Sequence, residues 1–352
     1  MHPLCSATCF CGVLLPRGWL ELADPLPSDR AGCELPARGS LEPARTSAMP
    51  HPDVHVGRDG WLFLIGGRNR AVNLYRRNPI MWSRLRRWRR RIEERAARCE
   101  RLGIVFVQTV APEKLTILSH RAVEPLVDVA LSPAMRLWAL MERSPARSRY
   151  IDLVAPLRAA AEREDVYLRT DSHWNYQGCF VAYRSICAAL RVSPRDDLAE
   201  RPFQVLEQAL DLGNKLTPQR TEPFRLYAIM RDSRRRYVND LVAAFNEAGG
   251  TGPVTATHAI YANDSPNSDS RRVLIFGDSY AHFDPVQLTA MFAETFREVY
   301  FVWSTSVDWR FVEEVRPDIL ICELAERYLR VVASDRFDLR ATVGARLGEL
   351  MR

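Results

Sequence analysis

The chain has 352 residues, 47% of them hydrophobic and 26% charged, which excludes a disordered, collagenous or fibrous protein. No run of about 18 apolar residues occurs, so no transmembrane helix is expected. The net charge is +6, and apart from Lys114 and Lys215 every basic residue is arginine. That bias reads as a coding preference and argues only weakly for a nucleic-acid partner.

Residues 1–50 carry Pro3, Pro16, Pro25, Pro27, Pro36, Pro43 and Pro50 without a sustained period. They read as disordered, or as upstream of a start at Met49. Phe10 to Leu15 is apolar but short, is preceded by no Lys or Arg and is ended by Pro16, a poor match to a secretory signal. Cys5, Cys9, Cys11 and Cys33 fall here and form no CxxC pair. Of the others, Cys179 and Cys187 stand roughly 12 Å apart on one helix, too far for a disulfide. Together with Cys322 they read as buried small hydrophobes.

An ordered domain is expected over 51–335, with a C-terminal helix or tail at 336–352. Val54 to Ile65 has turn chemistry at Arg58-Asp59-Gly60 between apolar runs, which predicts a hairpin. Pro79 to Leu102 repeats Leu85, Trp88, Ile92, Ala96 and Cys99 at helical spacing and ends at Gly103. The eight arginines from Arg84 to Arg98 then form mostly a solvated face, with an anionic-polymer contact as the alternative. Ile104 to Val110, Tyr150 to Val154, Val273 to Phe276, Val299 to Trp303 and Ile319 to Cys322 read as strands, and Val166 to Leu168 as a short run entering a loop. Helical patterns at 135–141, 178–190, 286–296 and 307–315 alternate with them. An α/β fold follows, with a mostly parallel sheet covered by helices on both faces and ligands at the carboxyl ends of its strands. The stretch 200–270 is less regular. A helix is expected from Tyr237 to Phe245 after Arg234-Arg235-Arg236, and loops at 249–252 and 263–270.

Two stretches carry chemistry. In the first, an apolar strand enters Gly277-Asp278-Ser279-Tyr280, a tight turn expected to open a helix. A serine there projects toward solvent and has its own N–H to stabilise an oxyanion, although Asp and Ser are also ordinary helix caps. In the second, Arg169 to Asn175, Asp171 and His173 are two apart, so on an extended loop they share a side. A histidine can take the serine proton, and a carboxylate can hold its tautomer. His282, three residues after Ser279 and near Asp284, competes as base. His173 is preferred for its Trp174-Asn175 context leading into a helix.

GRDGWLFL, APEKLTIL, YLRTDSHWNYQG, VLIFGDSY and RPDILICELAERYL, in this order, resemble the AlgX/AlgJ-type SGNH-hydrolase-like domain of alginate O-acetyltransferases, over roughly Val54 to Leu329. The DxHW motif precedes GDSY, the reverse of the order in ordinary SGNH esterases. The resemblance implies a triad of Ser279 as nucleophile, His173 as base and acid, and Asp171 as orienter, moving acetyl groups through an acetyl-serine onto hydroxyls of a polysaccharide or other glycan, with acetylesterase behaviour. It also implies a membrane-bound acetyl-donor partner; no cofactor and no metal are expected, and no nucleic acid, because the basic stretches come with no aromatic stacking platform or recognisable motif. Members are usually exported, which points to the periplasm, whereas the weak N-terminal signal leaves the cytoplasm open. No clear motif marks the oxyanion glycine and asparagine. Gly213 and Asn214 in Asp211-Leu212-Gly213-Asn214-Lys215 are the candidates, with a polar turn an equal reading. Tyr280 borders the serine and either shapes the pocket or packs. Trp61, Lys114 and Glu326-Arg327 match family positions and read as structural. The alternatives are a metal-dependent phosphoesterase, since Asp-x-His also begins a metal site, and a non-catalytic carbohydrate-binding protein. For the first, the chain offers no GNH segment and no His-x-His.

Overall fold

The computed structural model describes residues 51–67, 70–248, 254–284 and 286–351. The expectations for 1–50, with four of the cysteines, and for the loop at 249–252 lie outside the described residues. The other four cysteines, Cys99, Cys179, Cys187 and Cys322, are all buried and free.

β1 (Val54–Val56) and β2 (Leu62–Leu64) form the expected antiparallel hairpin, closed by a short helical turn at Arg58–Gly60. In α1 (Pro79–Arg101) the Asn78 side chain accepts the Ile80 N–H and proline fills the first turn. Gly103, at φ 69°, ends it in the left-handed conformation that glycine tolerates. Met81, Leu85, Trp88, Ile92 and Cys99 face the core. Arg95 shares that face and corrects the solvated reading of the arginines. It is 1% exposed, and Asp335, Gln108 and the Thr305 carbonyl accept its guanidinium N–H groups.

Next come β3 (Val105–Ala111), α2 (Lys114–Leu118), α3 (Pro133–Met141), β4 (Tyr150–Ile151), α4 (Val154–Ala161) and α5 (Tyr176–Leu190). Val166 to Leu168 is not a sheet strand. Tyr167 bridges Trp174 across a tight loop that bulges out at 168–173. β5 (Phe203–Ala209) and β6 (Thr221–Tyr227) form a separate hairpin, and β7 (Ser233–Val238) precedes α6 (Asp240–Glu247). The helix expected from Tyr237 therefore begins at Asp240. The arginine triplet lies on an edge strand instead, Arg234 opposite Ala262 and Arg235 opposite Tyr261 of β8 (His258–Asn263). Pairing with a distant strand overrides the local pattern there. The chain continues through β9 (Asp269–Gly277), α7 (Leu288–Thr295), β10 (Phe296–Trp303), α8 (Trp309–Val315), β11 (Ile319–Ala325) and α9 (Leu339–Leu350).

The central sheet has the order β4-β3-β11-β9-β10-β8-β7. Its first five strands run parallel and β8 is antiparallel to both neighbours. Helices cover both faces. All seven residues of β11 are buried, as a strand packed on both faces requires. The carboxyl ends of β3, β9 and β11, at Ala111, Gly277 and Ala325, come together as neighbours in the sheet.

Candidate active site

Ser279 follows β9 in a turn built by Asp278. The Asp278 carboxylate accepts the N–H groups of Tyr280 (3.0 Å) and Ala325 (2.6 Å), and its carbonyl accepts those of Ala281 and His282. These bonds replace the expected helix start: α7 begins only at Leu288, and His282 takes a left-handed φ of 58°. The serine does not project to solvent and is 2% exposed. No acceptor among the described residues takes its backbone N–H.

The 168–173 loop reaches the serine from α5's side of the chain. Asp171 Oδ1 accepts the backbone N–H of His173 at 2.8 Å and meets His173 Nδ1 at 2.6 Å. The two side chains thus meet through an Asx turn, not an extended strand. His173 Nε2 lies 2.7 Å from Ser279 Oγ. Burial pushes the Asp171 carboxyl up, but the charge and hydrogen bonds of His173 outweigh it and hold the group at about 2. An ionised Asp171 only accepts, so Nδ1 carries the proton and Nε2 is free to accept from the serine. His282 is not placed as the base. Its Nδ1 accepts the Asp284 N–H at 2.9 Å, and burial lowers its pKa.

Buried polar groups weld the two halves. Tyr280, fully buried, donates its hydroxyl to the Ser172 carbonyl (2.9 Å) and packs its ring against His173 and Trp174. It therefore packs beneath the pair and lines no opening. Arg327 donates to Glu113 at 2.6 Å and reaches Ser172 Oγ and Tyr280 Oη at 3.4 and 3.3 Å. Lys114 donates to the carbonyls of Leu62 and Arg169 beside the Trp61 ring. Glu326 takes the hydroxyls of Thr116 and Ser132 and two backbone N–H groups. Under the turn, Glu323 accepts the Asp278 N–H at 3.1 Å, and burial with the neighbouring Asp278 charge pushes its own carboxyl well above the ordinary value.

The β5–β6 hairpin holds the loop from outside, an arrangement with no motif in the sequence. Glu222 accepts the N–H groups of Arg169 and Thr170, and Asp211 accepts both the N–H (2.8 Å) and the hydroxyl (2.6 Å) of Ser172. Gly213 and Asn214 do not face the serine with free donors. The Gly213 N–H goes to the Thr170 carbonyl at 2.9 Å, and the Asn214 amide to Ala209 at 2.9 Å. The candidate segment matters through Asp211 instead. Ligand atoms of Asp171, His173 and Asp211 lie within 4.8 Å of one another, close enough to hold a cation. Each of these residues is already hydrogen-bonded within the protein.

Beside the site runs a groove of about 890 Å³ between the 164–177 segment and β6. Thr170, Trp174 and Gln287 line it, as do Tyr176, Phe224 and Tyr227, whereas Ser279 and His173 do not. No helix among the described residues is long and apolar enough to cross a membrane.

A serine, an imidazole and a carboxylate in hydrogen-bonded series at the carboxyl edge of a mostly parallel, helix-covered sheet define an SGNH-hydrolase-like domain. Residues 54–226 match the family model of the SGNH hydrolase-like domain of acetyltransferase AlgX. A 60-residue stretch is 40% identical to the probable alginate O-acetylase AlgJ of Pseudomonas syringae pv. tomato, covering 17% of this chain and 15% of that protein. The structure of Bacillus cereus PatB1 with a sulfonyl adduct aligns over 80% of this chain and all of that one, at 13% identity and a TM-score of 0.54. The O-acetyltransferase domain of Pseudomonas putida AlgJ aligns over 84% of this chain and all of that one, at 16% identity and a TM-score of 0.49. Residues 54–226 thus carry an SGNH hydrolase-like domain of the AlgX type.

Proposed function

We propose that this protein is a serine enzyme that transfers acetyl groups to, or removes them from, hydroxyls of a polysaccharide. The observation that carries the reading is the 2.7 Å contact between Ser279 Oγ and His173 Nε2, with Asp171 at 2.6 Å on the other ring nitrogen. As Ser279 Oγ attacks an acetyl carbonyl, His173 takes its proton and Asp171 stabilises the imidazolium. The tetrahedral adduct collapses, His173 gives the proton to the departing oxygen, and acetyl-serine remains. An acceptor hydroxyl then loses its proton to His173 and attacks the acetyl group, and His173 returns that proton to Ser279 Oγ as the acetyl–serine bond breaks. In this reading the Ser279 N–H donates to the oxyanion.

The groove beside Trp174 and Gln287 supplies the acceptor site in this reading. Its aromatic and polar lining suits a sugar, which offers apolar ring faces and hydroxyls together. A sugar hydroxyl there gives transfer, and water gives hydrolysis. A membrane-bound acetyl donor remains part of the proposal through the family alone.

The test is acetate release from p-nitrophenyl acetate together with fluorophosphonate labelling. Ser279→Ala is expected to lose on the order of 10³-fold or more in turnover, and the wild-type label to map to Ser279. Unchanged turnover in the variant, or labelling at another serine, refutes the reading.

A further inference from the structure

We propose that Asp211 is a positioning residue for the Asp171–His173 pair, clamping the residue between them and setting a second negative charge beside the imidazole. The inference rests on the serine-enzyme reading above.

The clamp is geometric. Ser172 is the one residue between the proposed orienter and base, and both carboxylate oxygens of Asp211 hold it, Oδ1 through the N–H at 2.8 Å and Oδ2 through the hydroxyl at 2.6 Å. The Asp211 N–H itself points at Asp171 Oδ2, 3.4 Å away. The following residues continue the grip, since Leu212 and Gly213 both donate to the Thr170 carbonyl at 3.1 and 2.9 Å. The loop therefore cannot turn Asp171 away from His173 without breaking bonds to the 210–213 segment.

The charge is the second half. Asp211 comes within 4.8 Å of ligand atoms of both Asp171 and His173. The other charged groups facing it are Lys114 of α2 and Arg327 after β11. Burial, followed by the Asp171 charge, raises the Asp211 carboxyl to about 6, and the His173 charge works in the opposite direction. Couplings of this kind are reciprocal. If an imidazolium eases ionisation of Asp211, an ionised Asp211 eases formation of the imidazolium. Two acids of opposite tendency on one base let the outer acid trim the strength of the inner pair.

The experiment compares Asp211→Asn, Ser172→Ala and Ser279→Ala in the p-nitrophenyl acetate assay from pH 5 to 9. Asp211→Asn keeps the shape and can still accept the Ser172 N–H on its amide oxygen, with the Ser172 hydroxyl now accepting from the amide NH2, but it removes the charge. Its kcat/KM on the alkaline plateau is expected to fall about tenfold, its acid limb to move to lower pH, and KM to change little. Ser172→Ala loosens the clamp but keeps the charge, so its rate falls while the acid limb stays where it is in the wild type. An Asp211→Asn profile that overlays the wild type, or a limb that shifts as far in Ser172→Ala, overturns the inference. If Asp211→Asn does not fold, the wild-type limb decides: because a proton on either group disfavours one on the other, the limb is expected to be broader than a single protonation, and a limb that fits one proton overturns the role. Ser279→Ala separates the two layers, since turnover surviving in that variant removes the serine-enzyme reading itself.

Discussion

Asp171, Asp211 and Glu323 are all buried or nearly so, yet their surroundings set them at about 2, about 6 and well above the carboxylate range. Burial raises all three. Only Asp171 has an imidazole hydrogen-bonded to it, which reverses the sign. Glu323 has another acid, Asp278, as its neighbour, whose charge adds to the rise. His258 is the opposite case. Its ring is packed among Tyr237, Tyr300 and Phe311, and burial lowers its pKa from 6.5 to about 4. The folded chain binds its proton less readily than the unfolded chain does. Its contribution to stability is therefore present above pH 6.5 and lost as the pH falls through about 4. The loss is on the order of 3 kcal/mol over that window. Urea unfolding at pH 7.5 and 4.5 checks it: His258→Gln is expected to show a smaller difference between the two, and an equal difference removes the assignment.

The decisive element outside the main sheet is the β5–β6 hairpin. Its approach to the 168–173 loop depends on Gly213, where an added Cβ would lie 2.1 Å from the Arg220 carbonyl oxygen and 3.2 Å from Thr170 Cβ. Backbone must therefore shift. Gly213→Ala is expected to cost about 1–3 kcal/mol and to lower acetate release, because the strain falls on the residue before Asp171. Wild-type values in both a thermal melt and the assay contradict this. The hairpin was also the least legible element. Its faces are half-buried and mixed, and β7 carries three arginines, so no period marked either one. The strands at 104–110, 273–276, 299–303 and 319–322 were legible because burial on both faces demands continuous apolar runs. The helix expected at Ser279 is absent because Asp278 accepts the Tyr280 N–H with one carboxylate oxygen and ties the turn with the other to Ala325 of β11, a partner 47 residues away that no local pattern shows.

Taken whole, the molecule brings Asp171, His173 and Asp211 near enough to bind a cation, while the hydrogen-bonded series through Ser279 needs none. Activity toward p-nitrophenyl acetate is expected to survive dialysis against EDTA within about twofold, within the usual scatter of such comparisons. Abolition by EDTA, with recovery on adding Mn²⁺ or Zn²⁺, favours the metal-dependent alternative.

Composition and periodicity by themselves determined the α/β class, the main helices and the parallel strands. Residue chemistry singled out Asp171, His173 and Ser279 as the groups suited to acyl transfer. These are properties of short windows, set by burial pattern and by what a side chain can donate or accept. Only the tertiary structure decided that a serine and a histidine 106 residues apart stand 2.7 Å from each other. It also turned the Gly213 and Asn214 donors to other acceptors, buried Arg95, and set Asp211 against the loop. Each of those outcomes depends on which strand lies beside which, and sequence-local rules do not reach across that separation.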